Sequence, residues 1–428
     1  MSRPPGTYDR LVNSVANTAV IDVGELDLPM VEPRLELSID ERNERADAVA
    51  GEHWLARSTF GYMVLHYDDV VAVLRDKRWH SATSMIPDLM GVTDPTFRAR
   101  RRTSILSAEG DEHVRLRRLV GKAFSPRSAD RLRPFMRGVI DGLVDDVDDG
   151  GRCDAVAEIC DPYPIPIICE LLGAPPRDWQ LFSRLAGDIL KVFDTNLPDV
   201  LDVVMAASDE LDEYTLTLIA DRRSKPADDL ITELIAAEEE GDRLSTEELT
   251  MMVEAVIIAG TDTTRNQLGC ALAVFCDHPD QWTLLAERPE LAPRAVEEAL
   301  RFFGAVRGTI RFASEDIEYR GVHFPKGTVM AAGIAQANVD PSVFPARRSF
   351  DITREAPARP MLTLGAGIHA CLGAALARAE LPEALTVLPR RMPDMRLDGD
   401  LVWKPATAAI FGPEVLPLAF TPGVGSTG

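Results

Sequence analysis

Aromatic residues are scarce in this 428-residue chain, at 6%, so its core must be built chiefly from Leu, Val, Ile and Ala. Positive charge is scarce too: 46 Lys+Arg stand against 68 Asp+Glu, a net charge of −22. A surface of that sign repels phosphate backbones and anionic lipid, which argues against nucleic-acid partners and against a polybasic membrane contact. No apolar run approaches the roughly 20 residues that cross a bilayer. The opening MSRPPGTYDR lacks the charged start and apolar stretch of a signal peptide. None of the six cysteines, at 153, 160, 169, 270, 276 and 371, belongs to a CxxC pair, and the chain is far longer than scaffolds that depend on disulfides. Internal repeats and Gly/Ser-rich linkers are missing as well. A folded, cytoplasmic protein is the expectation.

What is present is the balance of a globular domain, 46% hydrophobic and 27% charged. Residues 1–45, rich in Pro and acid, read as an extended, loosely attached lead-in, with one domain over 46–428. Gly61–Tyr67 alternates like a strand, and Asp68 is placed to cap a short helix after it. Helical periodicity then dominates 113–124, 128–148, 154–172, 177–193, 199–223, 228–239, 245–276 and 290–303. Strand patterns fill 308–335, with a hairpin turn at Tyr319-Arg320-Gly321, and return over 400–420. Between them lie a Pro-rich meander, 340–361, and a last helix, 372–388. Helix and strand are segregated rather than alternating, so the fold class is mostly α with a small β region, α+β, in a single domain.

The segment Leu364-Gly365-Ala366-Gly367-Ile368-His369-Ala370-Cys371-Leu372-Gly373 carries the chemistry. Two glycines one residue apart let the backbone turn tightly or approach a flat partner. The cysteine follows at the mouth of the last helix, where N–H groups and the helix dipole lower a thiol pKa and favour the anion that binds metal. A single thiolate with no Cys or His at zinc spacing does not suit zinc; it suits haem iron with one axial sulfur. A lone cysteine after a glycine turn is ordinarily a core residue, but the whole string resembles the haem-binding signature of the cytochrome P-450 family, FGxGxHxCxG. Leu364 stands where that family usually has Phe. The resemblance implies that Cys371 is the iron ligand, that His369 contacts a haem propionate, and that Leu364, Gly365 and Gly373 touch the cofactor.

Ser245-Thr246-Glu247-Glu248 reads as a capping box, and apolar residues recur at Leu249, Met252, Val253, Val256, Ile257, Leu268, Leu272 and Phe275. A helix of about 30 residues, roughly 45 Å long, follows. Its middle, Ala259-Gly260-Thr261-Asp262-Thr263-Thr264, is a run of poor helix formers, in which Gly alone costs about 1 kcal/mol relative to Ala. The residues alone leave two readings open. One is a kinked core helix whose Thr hydroxyls bond back to carbonyls. The other is a loosened turn over a flat cofactor: Ala259 and Gly260 leave room, Thr263 hydrogen-bonds bound oxygen, and Asp262 relays protons. The run matches the family's (A/G)GxDTT motif, and that resemblance implies the second, with Asp262 and Thr263 catalytic.

Glu298 and Arg301 lie one helical turn apart, a spacing that means little on a surface. By resemblance they are the family's ExxR pair, which braces the thiolate side together with a third residue from the meander. Ser349 occupies the register where that residue is usually basic, and Arg348 or Arg354 is the candidate replacement. His113 and Arg117, also one turn apart, can reach one propionate, and Arg311 resembles a further partner. One window opposes the overall charge: residues 98–137 hold 12 Lys/Arg against 4 Asp/Glu. Arg115, Arg118, Lys122, Arg127, Arg131, Arg133 and Arg137 are read as a positive face for an acidic electron donor.

The resemblance covers about residues 50 to 420, with four motifs in order. It implies a cytochrome P-450 fold, a b-type haem (iron protoporphyrin IX), and O₂ as co-substrate. The product is a hydroxylated or epoxidised hydrophobic small molecule. No FMN, FAD or iron–sulfur segment is present, so electrons are expected from a separate ferredoxin or flavodoxin with its reductase. The pocket is expected from the 81–106 loop, where Met85, Ile86, Leu89 and Met90 are apolar, from the 178–205 region, Ala305–Val306 and Ile410–Phe411. The rivals are an H₂O₂-using peroxygenase of the same fold and a haem-binding carrier or sensor without turnover.

Overall fold

Ser245 and Glu248 do form a reciprocal capping box, each side chain accepting from the other's backbone N–H. From it runs a helix of 32 residues, Thr246–Asp277, buried along most of its length. The computed structural model describes residues 20–31, 38–85, 91–121, 123–148, 150–193, 196–239, 244–405, 408 and 410–423. The helices that frame the site are α1 Ile39–Glu52, α2 Tyr67–Arg75, α3 Pro95–Thr103, α4 Gly110–Val120, α5 Arg133–Asp148, α6 Pro164–Leu172, α7 Leu197–Ser224, α8 Thr246–Asp277, α9 Ala292–Phe302 and α10 Ala374–Arg391. Helix α8 packs on α6 and α7, while α10 packs on α5 and α9. One hydrophobic core runs through these helices apart from α3. A small satellite cluster joins Val92 and Phe97 to Val192, Leu197 and Val204.

The principal sheet has five strands, β1 Leu55–Ser58, β2 Gly61–Val64, β3 Trp79–Ser81, β4 Thr309–Ala313 and β5 Val329–Ala332, in the order β1-β2-β5-β4-β3. Only β2 and β5 pair in parallel; the other neighbours are antiparallel. The fold is therefore mostly helical with a minor, segregated sheet, as the pattern predicts. The expected hairpin is present at Tyr319–Val322, where Arg320 and Gly321 take φ of 52° and 75°.

Several boundaries differ. Part of the span read as a loose lead-in is ordered: α1 begins behind a capping box of Ser38 and Glu41, and Ile21–Asp22 pairs with Val322–His323. Residues 1–19 and 32–37 of that span, with Lys122, Ile86, Leu89 and Met90, lie outside the described residues. The helix expected over 154–172 is interrupted, because Pro162 and Pro164 cannot donate backbone bonds; a strand at Arg152–Asp154 and a π turn precede α6. Asp68 does not cap α2. The Tyr67 N–H is satisfied instead by Asp340 of the meander, at 3.0 Å.

Candidate active site

The glycine loop folds back on itself before α10. Gly365 and Gly367 take φ of 74° and 72°, and the Cys371 N–H donates to the Leu364 carbonyl at 2.8 Å. A Cβ on Gly367 would stand 2.1 Å from the Leu74 carbonyl oxygen, so only glycine lets the loop lie against the end of α2. Cys371 is thereby held just before α10 and opens onto a cavity of about 380 Å³. Burial pushes its thiol pKa up. The Gly373 N–H, Arg117 and Arg378 favour the anion without overcoming burial. The helix start acts in the direction the sequence suggests, but desolvation is larger; a coordinating metal ion deprotonates a thiol outright.

Beside the sulfur the same cavity is lined by His113, Arg117, Arg311 and His369. Among the described residues Arg117 donates to the Ala370 carbonyl (2.9 Å), and Arg311 to Thr309 Oγ1 and the Ile310 carbonyl (3.0 Å each). Neither is hydrogen-bonded to a carboxylate among the described residues, although Arg311 is 5% exposed; Glu109 acts on Arg311 only through space. Burial, helped by His369 and Arg117, lowers the His113 pKa to about 4, so its ring is neutral at neutral pH. The His113 and His369 rings lie 4.5 Å apart. Glu109 holds His369 at 2.8 Å and also accepts from the Ser81 N–H. Desolvation raises the Glu109 pKa, but these two hydrogen bonds outweigh it, and the net shift is downward. A buried guanidinium, Arg311, and a half-buried one, Arg117, neither hydrogen-bonded to a carboxylate among the described residues, beside a sulfur and a glycine cradle, fit a planar metal-bearing group that carries carboxylates.

The opposite side is one face of α8: Met252, Ala255, Val256, Ala259, Gly260 and Thr263, at helical spacing. The weak helix formers do not break the helix, which is continuous from Thr246 to Asp277. Their hydroxyls bond back instead, Thr261 to the Ile257 carbonyl (2.7 Å) and Thr263 to the Ala259 carbonyl (2.5 Å). The missing side chain of Gly260 serves packing as well, since a Cβ there would lie 2.4 Å from Ile168 Cδ1 on α6. Asp262 is buried, its Oδ1 taken by Arg265 (2.8 Å) and Asn266 (2.9 Å), with Lys404 at 3.7 Å.

Against known proteins, the family model described as Cytochrome P450 matches residues 177–287 and 281–391. Luteothin monooxygenase of Streptomyces thioluteus is 36% identical over 371 residues, 86% of this chain and 90% of that protein. Mycinamicin IV hydroxylase/epoxidase of Micromonospora griseorubida is 36% identical over 84% of this chain and 89% of its own length. The crystal structure of CalO2 superposes with a TM-score of 0.83 at 31% identity, covering 90% of this chain and 97% of that one. The chain belongs to the cytochrome P450 family. It is a monooxygenase of that family, whose cofactor is a haem held by a thiolate.

Within this P450, Glu298 and Arg301 are not a surface pair: each is 3% exposed. They are joined by two hydrogen bonds of 2.7 and 2.8 Å. Arg301 also donates to the Asn338, Arg347 and Ser349 carbonyls. The third position is settled in favour of Arg354, whose Nε lies 3.1 and 3.0 Å from the two Glu298 oxygens; Arg348 turns to Asp47.

Some of the residues expected at the substrate pocket line this cavity and others do not. Ser81, Thr83, Ile105, Leu106, Ala305 and Val306 line the P450 cavity. Nothing from 178–205 does so among the described residues, and Phe411 stacks on Trp403 at 5.4 Å instead. Sequence reasoning missed Glu380, which also lines the cavity, is fully buried, and has no hydrogen-bond partner on either carboxylate oxygen among the described residues. Burial lifts its pKa to about 8, and a nearby Thr264 hydroxyl lowers it a little without meeting hydrogen-bond geometry. The basic face is weaker than its composition suggests. Arg115 pairs with Glu112 and Glu248, Arg131 with Asp228, and Arg133 and Arg137 with Glu383. No helix among the described residues is long and apolar enough to cross a membrane.

Proposed function

We infer that this P450 holds haem b on Cys371 and hydroxylates or epoxidises an apolar small molecule, using O₂ and electrons from a separate ferredoxin or flavodoxin with its reductase. The observation that carries the reading is a shared cavity: Cys371, Arg117 and Arg311, neither of these two bonded to a carboxylate among the described residues, and the Ala259–Thr263 face of α8 all line it. When bound, haem supplies the activation of dioxygen and the oxidation itself.

The chain's residues supply the rest. Cys371 ligates the iron, with Leu364, Gly365 and Gly373 around it. Arg117, Arg311, His113 and His369 would hold the haem's carboxylates. Small Ala259 and Gly260 leave space on the other face. Thr263, already donating to Ala259, keeps its oxygen lone pairs open to the cavity as acceptors. Asp262, one residue away and anchored by Arg265 and Asn266, passes a proton toward Thr263 in this reading. Glu380, protonated at neutral pH by its burial, keeps a second proton under α8. The electron donor docks on the face carrying Arg118, Arg127 and Arg131, with steering moderated by the chain's own acids.

The test compares turnover of apolar compounds driven by NADPH through ferredoxin and its reductase with turnover driven by H₂O₂ alone. Product from the NADPH system is expected. Product from H₂O₂ alone would replace this reading with a peroxygenase, and binding without product in either system would leave a carrier.

A further inference from the structure

Gln267 lies one helical turn beyond Thr263 on α8, and both side chains line the cavity. Gln267 is 4% exposed, and its amide is spent on one short segment. Oε1 accepts from the Ala305 N–H at 2.9 Å, and Nε2 donates to the Phe303 carbonyl at 3.5 Å. That segment, residues 303–306, carries the chain from the end of α9 toward β4, and its Ala305 and Val306 form part of the cavity wall.

Residues 303–306 belong to no helix or strand, so their buried polar groups depend on neighbours for partners. The Ala305 carbonyl accepts from the Phe411 N–H at 2.9 Å. Behind it Phe303 stands against Trp403 and Phe411, with ring centroids 5.2 and 6.0 Å apart, and the Arg307 guanidinium lies over both phenyl rings. A Cβ on Gly304 would stand 2.6 Å from Thr363 Oγ1, so the segment also lies close against the chain just before the Cys371 loop. These contacts back the segment from behind, and Gln267 ties it to the helix that carries Thr263. The length of one glutamine side chain thus spaces the wall from that helix. Without the amide the buried Ala305 N–H has lost its acceptor, and the segment must shift to find another.

We propose that Gln267 is a positioning residue for substrate selectivity: by receiving the Ala305 N–H it sets how far the Ala305–Val306 wall stands from Thr263, and so how wide an apolar body is held there. This rests on the monooxygenase reading above and adds what fixes its selectivity. A glutamine that merely filled the core would change stability on removal; a positioning one discriminates between ligands by size.

Titration of the purified holoprotein with imidazole and with 4-phenylimidazole, followed by the Soret shift of nitrogen ligation, tests it in wild type, Gln267→Met and Gln267→Glu. Met matches glutamine in length but is a weak acceptor, whereas Glu keeps an accepting oxygen. In Gln267→Met, 4-phenylimidazole should bind about tenfold weaker than in wild type, the worth of one satisfied buried N–H. Imidazole, which lacks the phenyl ring, should stay within about twofold, a small fraction of that hydrogen bond's worth. Gln267→Glu should recover most of the phenyl preference. Equal loss of both ligands, no change in either, or the same loss in Gln267→Glu as in Gln267→Met would each overturn the proposal. Should Gln267→Met fail to fold, Gln267→Asn, which keeps the amide but is one methylene short, must show the same contrast. A wild type with neither the nitrogen shift nor a haem-thiolate CO band takes this proposal down with the reading it rests on. A normal CO band without the size contrast removes only this proposal.

Discussion

Two regions meet at the cavity, and they treat buried charge in opposite ways. Around Cys371 the polar groups are paired: Glu298 receives both Arg301 and Arg354, Arg301 reaches three carbonyls, and the Cys371 N–H closes on Leu364. Lining the cavity, both Glu380 oxygens are buried without hydrogen-bond partners among the described residues, and neither Arg117 nor Arg311 is bonded to a carboxylate among them. Buried polar groups are normally satisfied, so the first region is finished by the chain itself and the second is completed by what binds. Substitutions in the first should cost stability; substitutions in the second should cost little stability and change chemistry.

The largest effect is expected at the brace. Arg301→Ala leaves Glu298 and three carbonyls buried and should cost about 3–5 kcal/mol, read as a loss of urea midpoint and of haem retention. A shift below about 1 kcal/mol would show that the brace is not the structural support claimed. Next, Gly367→Ala must bear both a positive φ and contact with Leu74, and should cost more than about 2 kcal/mol. Ordinary stability in that variant would mean the loop can lie elsewhere.

Glu380 gives a pH-dependent effect. Its folded pKa, raised to about 8, lies above that of the unfolded chain, so folding holds the proton more tightly. The contribution is full below the ordinary carboxylate range and is lost as pH rises toward 8. Thermal midpoints of Glu380→Gln should therefore exceed wild type most at pH 8 and least at pH 5. Parallel profiles would contradict the burial argument. Smallest in stability is Thr263→Ala, which removes one back-bonded hydroxyl and should shift unfolding by less than about 1 kcal/mol. Its consequence is chemical: H₂O₂ released per NADPH should rise as product falls, and unchanged coupling would remove Thr263 from proton delivery.

The same division explains what the sequence made legible. The Cys371 loop, the capping box of α8 and the Arg320–Gly321 hairpin are local patterns whose backbone demands show in residue type, and the structure has all three. The Glu298–Arg301 spacing was visible, but its burial and the choice of Arg354 over Arg348 depend on how the meander folds across α9. Helix α3 escaped notice because four arginines mask the single inward Phe97, which belongs to a cluster assembled from α7. Glu380 looked like any acid on an amphipathic helix. Only packing removes it from water, with the Tyr163 hydroxyl bonded to its backbone carbonyl and not to its carboxylate. The thiol of Cys371 was read from its helix start, while desolvation by the surrounding fold proved the larger influence.

Everything chemical rests on Cys371 as the iron ligand, and replacing that one atom tests it most directly. Cys371→Ser should fold with nearly the stability of the parent, and its reduced CO complex should move its Soret band away from the parent's position. A band that stays in place after the substitution, or a parent protein that takes up no haem, would contradict the account.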